Sequence, residues 1–129
     1  MLINLSNHPI EKWSQEQINA AIAQFGELKD FKDVDNKTFP NIPPEWNSTQ
    51  VALKAQEVFT EIMNQNLQMA KENQLSILLA GELSFVIYFN TICKSNDVPV
   101  YVATSNRNTK DNPDGTKSVH FMFNQFRKL

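Results

Sequence analysis

One cysteine, two histidines and three glycines in 129 residues leave few parts for several familiar chemistries. Cys93 alone forms no intramolecular disulfide and no CxxC zinc site, and inside an apolar segment it reads as an inert core thiol. His8 and His120 lie far apart and neither belongs to an HExxH arrangement, so no metal is expected. No GxGxxG, GxxxxGK[ST] or GxSxG stretch is present, which removes support for a dinucleotide site, a phosphate loop or a nucleophile elbow. The aspartates between residues 30 and 36 read as solvated loop charges rather than half of a carboxylate pair. No apolar run approaches the ~18 residues of a bilayer span, so no membrane segment is expected. A net charge of -2 speaks against grip on long nucleic acid, which needs many Lys or Arg along one face. The opening "MLINLSNHPI" lacks a basic segment and a cleavage site, and the expected location is cytoplasmic.

What is present alternates between strand and helix. Met1 to Leu5 reads as a short strand. A helix from about Ser14 to Phe25 follows, capped by Ser14 with Gln17 three residues on, its apolar face formed by Ile18, Ala21, Ile22 and Phe25 and its end set by Gly26. Glu27 to Phe31 is a weak strand, and the proline-rich stretch after it reads as a long ordered loop, a possible lid. A long helix runs from Asn47 or Ser48 to Glu72, with Val51, Ala55, Val58, Phe59, Ile62, Leu67 and Ala70 on one stripe. "QLSILLAG" has the continuous apolar pattern of a central parallel strand, Leu75 to Ala80. Leu83 to Ser95 is a helix apolar nearly all round, either sandwiched in the core or half turned toward another subunit. Val100 to Thr104 reads as a strand, Asn112 to Lys117 as a turn, and "SVHFMFNQF" as a last strand returning antiparallel. The order predicts one α/β domain over residues 1–129: an open, mostly parallel, Rossmann-like sheet with an antiparallel C-terminal edge strand and helices on both faces.

In such sheets ligands lie beyond the carboxyl ends of the strands, because each right-handed crossover leaves its strand-to-helix loop on that edge. Three loops there carry polar clusters: Ser6, Asn7 and His8; Gly81, Glu82 and Ser84; Thr104, Ser105, Asn106 and Arg107. Donors at an edge where helix N-termini present free N–H groups suit a phosphate. Each signal has a plainer reading beside it. "SNHP" can be a turn in which Asn7 bonds its own backbone, or His8 can contact a ligand or move a proton. Gly81 fits a close approach of backbone or ligand, and also ordinary loop chemistry. Glu82 complements the dipole of the following helix, a role that competes with catalysis because a carboxylate repels a phosphate. Arg107 is an isolated cation among small polar groups, suited to clamping an anion or to lying in solvent. His120, between Val119 and Phe121, reads as a packed or edge histidine, and Arg127 and Lys128 are too few for a nucleic-acid signal.

The strand ending "LSNHP", the "GE" after the buried strand, "ATSNRN" and the closing "DG...VHFMFNQFRKL" together resemble the small stand-alone CRISPR-associated accessory proteins with a Rossmann-like, CARF-related fold. The resemblance covers most of the chain and is weakest from Lys32 to Ala70. Several members of that group are ring nucleases, dimers that bind cyclic oligoadenylate, the second messenger of type III CRISPR defence, and cut it without metal or cofactor. The resemblance implies a homodimer in which a ribose 2'-OH attacks the adjacent phosphorus. Arg107 and the N–H groups around Gly81 would stabilise the phosphoryl oxygens, Ser6, Asn7 and Ser105 would hold ribose and phosphates, and His8 would serve as acid or base. Glu82, Ser84, Thr104 and Asn106 complete the ligand-contacting set. The family pattern favours an acidic residue beside the arginine where this chain has Asn106, which puts the charge balance there in doubt. Two other classes stay open: a module that binds such a nucleotide without cutting it, and an interaction subunit whose apolar helix docks a partner.

Overall fold

The computed structural model describes residues 1–129. Its strands are β1 (Leu2–Ser6), β2 (Leu28–Asp30), β3 (Ser76–Ala80), β4 (Val100–Asp111) and β5 (Lys117–Lys128); its helices are α1 (Gln15–Phe25), α2 (Ser48–Gln65), α3 (Leu67–Lys71) and α4 (Leu83–Ser95). The sheet runs β2-β1-β3-β4-β5, parallel except for β5, which returns antiparallel beside β4. This is the expected open α/β sheet with an antiparallel C-terminal edge.

Side-chain alternation decides which face each strand residue serves. Leu2 and Leu78 point to the α1 side, where they pack with Trp13, Ala21 and Phe126. Ile3, Leu5, Ile77 and Leu79 point to the opposite side, beneath Val58, Phe59, Phe85, Phe89 and Cys93 of α2 and α4. Helices therefore cover both faces. Because β1 and β3 are neighbours whose following helices leave to opposite faces, a crevice opens between their carboxyl ends, the switch point of a doubly wound sheet.

Local chemistry sets most element ends. Ser14 caps α1 by accepting from the Gln17 N–H, and Gly26 closes it at φ 83°. Asn47 and Gln50 form a reciprocal capping box at the start of α2. Three expectations are corrected. The long helix does not continue to Glu72: it stops at Gln65, where Asn66 leaves helical geometry at φ -133° and donates from Nδ2 to the Ile62 carbonyl at 2.8 Å. Leu67, beyond that break, is exposed rather than part of the buried stripe. The largest correction concerns β4, expected to end at Thr104. It runs on to Asp111 because β5 pairs with it continuously from Tyr101↔Lys128 to Asp111↔Lys117, interrupted by one bulge between Thr104 and Ser105. Parallel pairing with β3 is confined to Ile77↔Val100 and Leu78↔Tyr101, so from Val102 onward β4 and β5 leave the sheet as a two-stranded arm roughly 33 Å long at the usual rise per residue.

The proline-rich loop is anchored. Thr38, Phe39 and Pro40 are buried; Thr38 Oγ1 donates to the Ser6 carbonyl at 2.6 Å, and the Phe39 ring meets Phe85 edge-on at 5.1 Å. It closes the α2/α4 side of the core at the sheet's carboxyl edge, a plug rather than a free lid.

The candidate functional site

The parting of β4 from β3 leaves a cleft of about 840 Å³ at the carboxyl edge of the sheet, and all three polar strand ends contribute to its wall: Ser6, Asn7 and His8; Gly81; Thr104 and Ser105. The volume lies in the range of small-molecule sites. The rest of the wall comes from Lys12, Trp13, Ser14 and Gln17 on the α1 side, Leu78, Leu79 and Ala80 of β3, Leu83 and Val86 of α4, and Val102, Ala103, Phe121 and Phe123 of the arm.

The first loop is shaped by a buried polar network. Asn4, 1% exposed, donates from Nδ2 to the His8 carbonyl at 2.9 Å and to Asp30 Oδ1 at 2.8 Å, and its Oδ1 accepts from Ser6 Oγ at 2.6 Å. The His8 carbonyl also receives Trp13 Nε1 at 2.8 Å, while Asp30 Oδ1 receives the Ile10 N–H at 3.1 Å. Every donor and acceptor of the Asn4 amide is thus used, which fixes this turn in one conformation. Ser6 is itself consumed: its hydroxyl faces Asn4 and accepts from the His8 N–H at 3.2 Å. Asn7 makes no side-chain hydrogen bond, so the self-bonded turn that is one reading of this stretch is formed by Ser6 and not by Asn7. The side chains of Asn7 and His8 are exposed on the cleft wall.

At the second strand end, the reason for glycine is packing. A Cβ built on Gly81 runs into the Phe39 ring, and its backbone φ is not in the left-handed region. The Gly81 N–H, exposed at the cleft, makes no hydrogen bond and is a free donor. Glu82 and Ser84 do not line the cleft. Glu82 is the N-cap of α4: its carboxylate accepts from the Ser84 and Phe85 N–H groups at 3.2 and 2.8 Å and from Ser84 Oγ at 2.6–2.7 Å. These bonds, the Ser84 hydroxyl first, hold its carboxyl below the usual range. The helix terminus expected to receive a ligand phosphate is occupied by the protein's own anion. Glu82 borders a separate hollow of about 470 Å³ with Asn7, Lys37 and the plug loop.

The third cluster is divided by the length of β4. Thr104 and Ser105 reach the cleft wall; Asn106 and Arg107 are strand residues farther along the arm and do not. Arg107 stands directly opposite Phe121, so both side chains share one face of the ribbon, although Arg107 does not itself line the cleft. Arg107 and Lys12 make no ion pair. His120 is exposed on the arm opposite Asn108. Lys12, Trp13, Gln17, Phe121 and Phe123 were not singled out by sequence reasoning. The spacing of Phe121 and Phe123 on one strand face carried a signal; Lys12 sits in an unremarkable turn. No three His, Cys, Asp or Glu side chains converge anywhere. No helix is long and apolar enough to cross a membrane.

The sequence matches the model of the Uncharacterized protein MJ1673 family over residues 1–127, and the chain belongs to that family. No curated protein and no solved structure matches it.

Proposed function

We propose that the cleft binds cyclic oligoadenylate and opens the ring as a metal-independent phosphodiesterase. The observation that carries the reading is convergence: strand ends distant in sequence supply neutral donors to one cleft that also has aromatic faces. Adenine bases would stack on Phe121 and Phe123, a contact that tolerates any base but favours purine area. Asn7, Thr104, Ser105, Lys12 and the Gly81 N–H would hold ribose and phosphate, with Lys12 and Arg107 supplying the positive charge.

In the reaction the ribose 2'-oxygen bonds to the adjacent phosphorus as the P–O5' bond breaks, leaving a 2',3'-cyclic phosphate and a 5'-hydroxyl. His8 accepts the 2'-OH proton, and water protonates the departing oxygen. Held in line, the 2'-OH needs no nucleophile from the protein. Ser6 keeps a positioning role through Asn4, and Glu82 and Ser84 cap α4 without touching the ligand.

Incubation with cyclic tetra-adenylate in EDTA, followed by chromatography, tests the reading. Linear products with a His8→Ala loss of about 10²-fold in rate are the expected result. Unchanged ligand together with a raised melting temperature would mean a binding module, and neither effect would leave an interaction protein; both outcomes reject the enzyme. An Arg107→Ala variant that cuts at the parent rate would remove that residue from the reaction.

A further inference from the structure

We infer that the outer edge of β5 is a pairing surface for a second copy of this chain, joined antiparallel about a two-fold axis at Phe121. The directions of the peptide groups follow from two hydrogen bonds. Leu129 N–H donates to the Val100 carbonyl and Asn112 N–H to the Thr116 carbonyl. With the register of the arm, these make Asn106↔Met122, Asn108↔His120 and Lys110↔Ser118 the bonded pairs, so the peptide groups of Val119, Phe121 and Phe123 point away from β4. β5 is the end of the sheet, and nothing covers those groups.

Natural sheets guard such edges with charge or proline, yet Ser118 to Phe126 contains neither Asp, Glu, Lys, Arg nor Pro. Three of its exposed side chains are large and apolar: Phe121 is 70% exposed, Met122 48% and Val119 39%. A lone two-stranded ribbon is marginal in water, and joining two ribbons makes a four-stranded sheet.

The pattern selects a second copy over a foreign strand because it is self-complementary, as an isologous interface must be. About Phe121, Val119 falls opposite Phe123 of the other copy, Phe121 opposite itself, and Lys117 near Gln125, so no like charges meet. The acidic turn at Asp114 comes beside Arg127 and Lys128 of the other copy. The antiparallel sense sends the two globular bodies to opposite ends of the joined ribbon. Directly opposed residues share a face, so both clefts, each walled by Phe121 and Phe123, open on the same side with the two Arg107 side chains between them. The inference rests on the strand edge and not on the nucleotide reading.

Sedimentation velocity of the full chain without ligand tests it. The wild type is expected at twice 14.8 kDa. Val119→Pro removes an N–H that β4 does not use, and Phe121→Lys sets two cations on the axis; each is expected to run as a single chain with an unchanged circular dichroism spectrum. Where Val119→Pro loses its fold, Phe121→Lys decides. A single-chain wild type, a foreign polypeptide on the edge, or two-chain mass retained by the folded variants overturns the inference.

Discussion

Gly81→Ala separates packing from ligand contact at the strand end nearest the cleft. The added methyl would overlap three carbons of the Phe39 ring, and that ring is not the loose end of a flexible chain: it is 6% exposed and braced against Phe85 at 5.1 Å. Either Phe39 withdraws, giving up part of its contact with Phe85, or the strand end shifts. Overpacking of this kind costs about 1–3 kcal/mol. For a chain of this length 1 kcal/mol moves the melting temperature by about 4 °C, so a fall of roughly 4–12 °C is expected. Phe39→Ala alone costs about 3–5 kcal/mol through the cavity it leaves. In that background the methyl enters empty space, and Gly81→Ala becomes nearly neutral. The double-mutant cycle, measured by urea denaturation, therefore shows a coupling close to the whole cost of the single alanine variant. A Gly81→Ala penalty equally large with and without Phe39, or no penalty at all, would refute the packing account.

Glu82→Ala removes the cap of α4 and is expected to destabilise the fold by about 0.5–1 kcal/mol, near the low end for caps because the residue is exposed. The folded carboxyl titrates below its ordinary 4.5, so its contribution is complete above that pH and fades as the pH falls through the lower folded value. Stability curves of parent and variant measured across the acid range should converge at the acid end; a gap that widens there contradicts the cap. Burial raises the Cys93 thiol to about 12, so almost no thiolate exists at neutral pH and the group is sealed between α4 and the sheet. It should resist Ellman's reagent in the native state and react promptly in denaturant, whereas rapid native labelling would place it in a reachable pocket.

The fold was legible where local and tertiary preferences agree. The Ser14 cap, the unbroken apolar run of β3 and the helix beginning at Leu83 each carry their own boundary signals, and the structure follows them. It departs from the sequence reading where a distant partner decides. "SNRNTKD", residues 105–111, is made of turn-forming and charged residues, yet it is strand because β5 supplies a ladder along its whole length. The bulge beside Thr104 is likewise invisible in sequence; there the Thr104 hydroxyl lies 3.2 Å from both the N–H and the carbonyl of Gln125. The helix from Leu83 read as apolar all round, but Phe85, Phe89 and Cys93 are buried whereas Leu83 and Ile87 are exposed, so one side alone is satisfied within this chain.

The cleft itself was legible from topology, since polar strand ends at the carboxyl edge of a parallel sheet have one place to meet. Its construction was not. Asn4 looks like an ordinary strand residue, and nothing local ties it to Asp30, 26 positions away, yet that pair holds the turn presenting Asn7 and His8. That wall is therefore held in place by the protein's own bonds, its buried polar groups already paired while the Asn7 and His8 side chains stay free. The facing wall is the arm, which has lost its parallel partner after Tyr101 and carries Ser105, Phe121 and, opposite Phe121, Arg107. Adjustment to a ligand falls to that side, because moving the ribbon breaks no buried hydrogen bond whereas moving the first loop breaks several. This asymmetry makes the arm the wall that can adjust, and under the proposed function it is the arm that would carry Arg107 toward a bound phosphate.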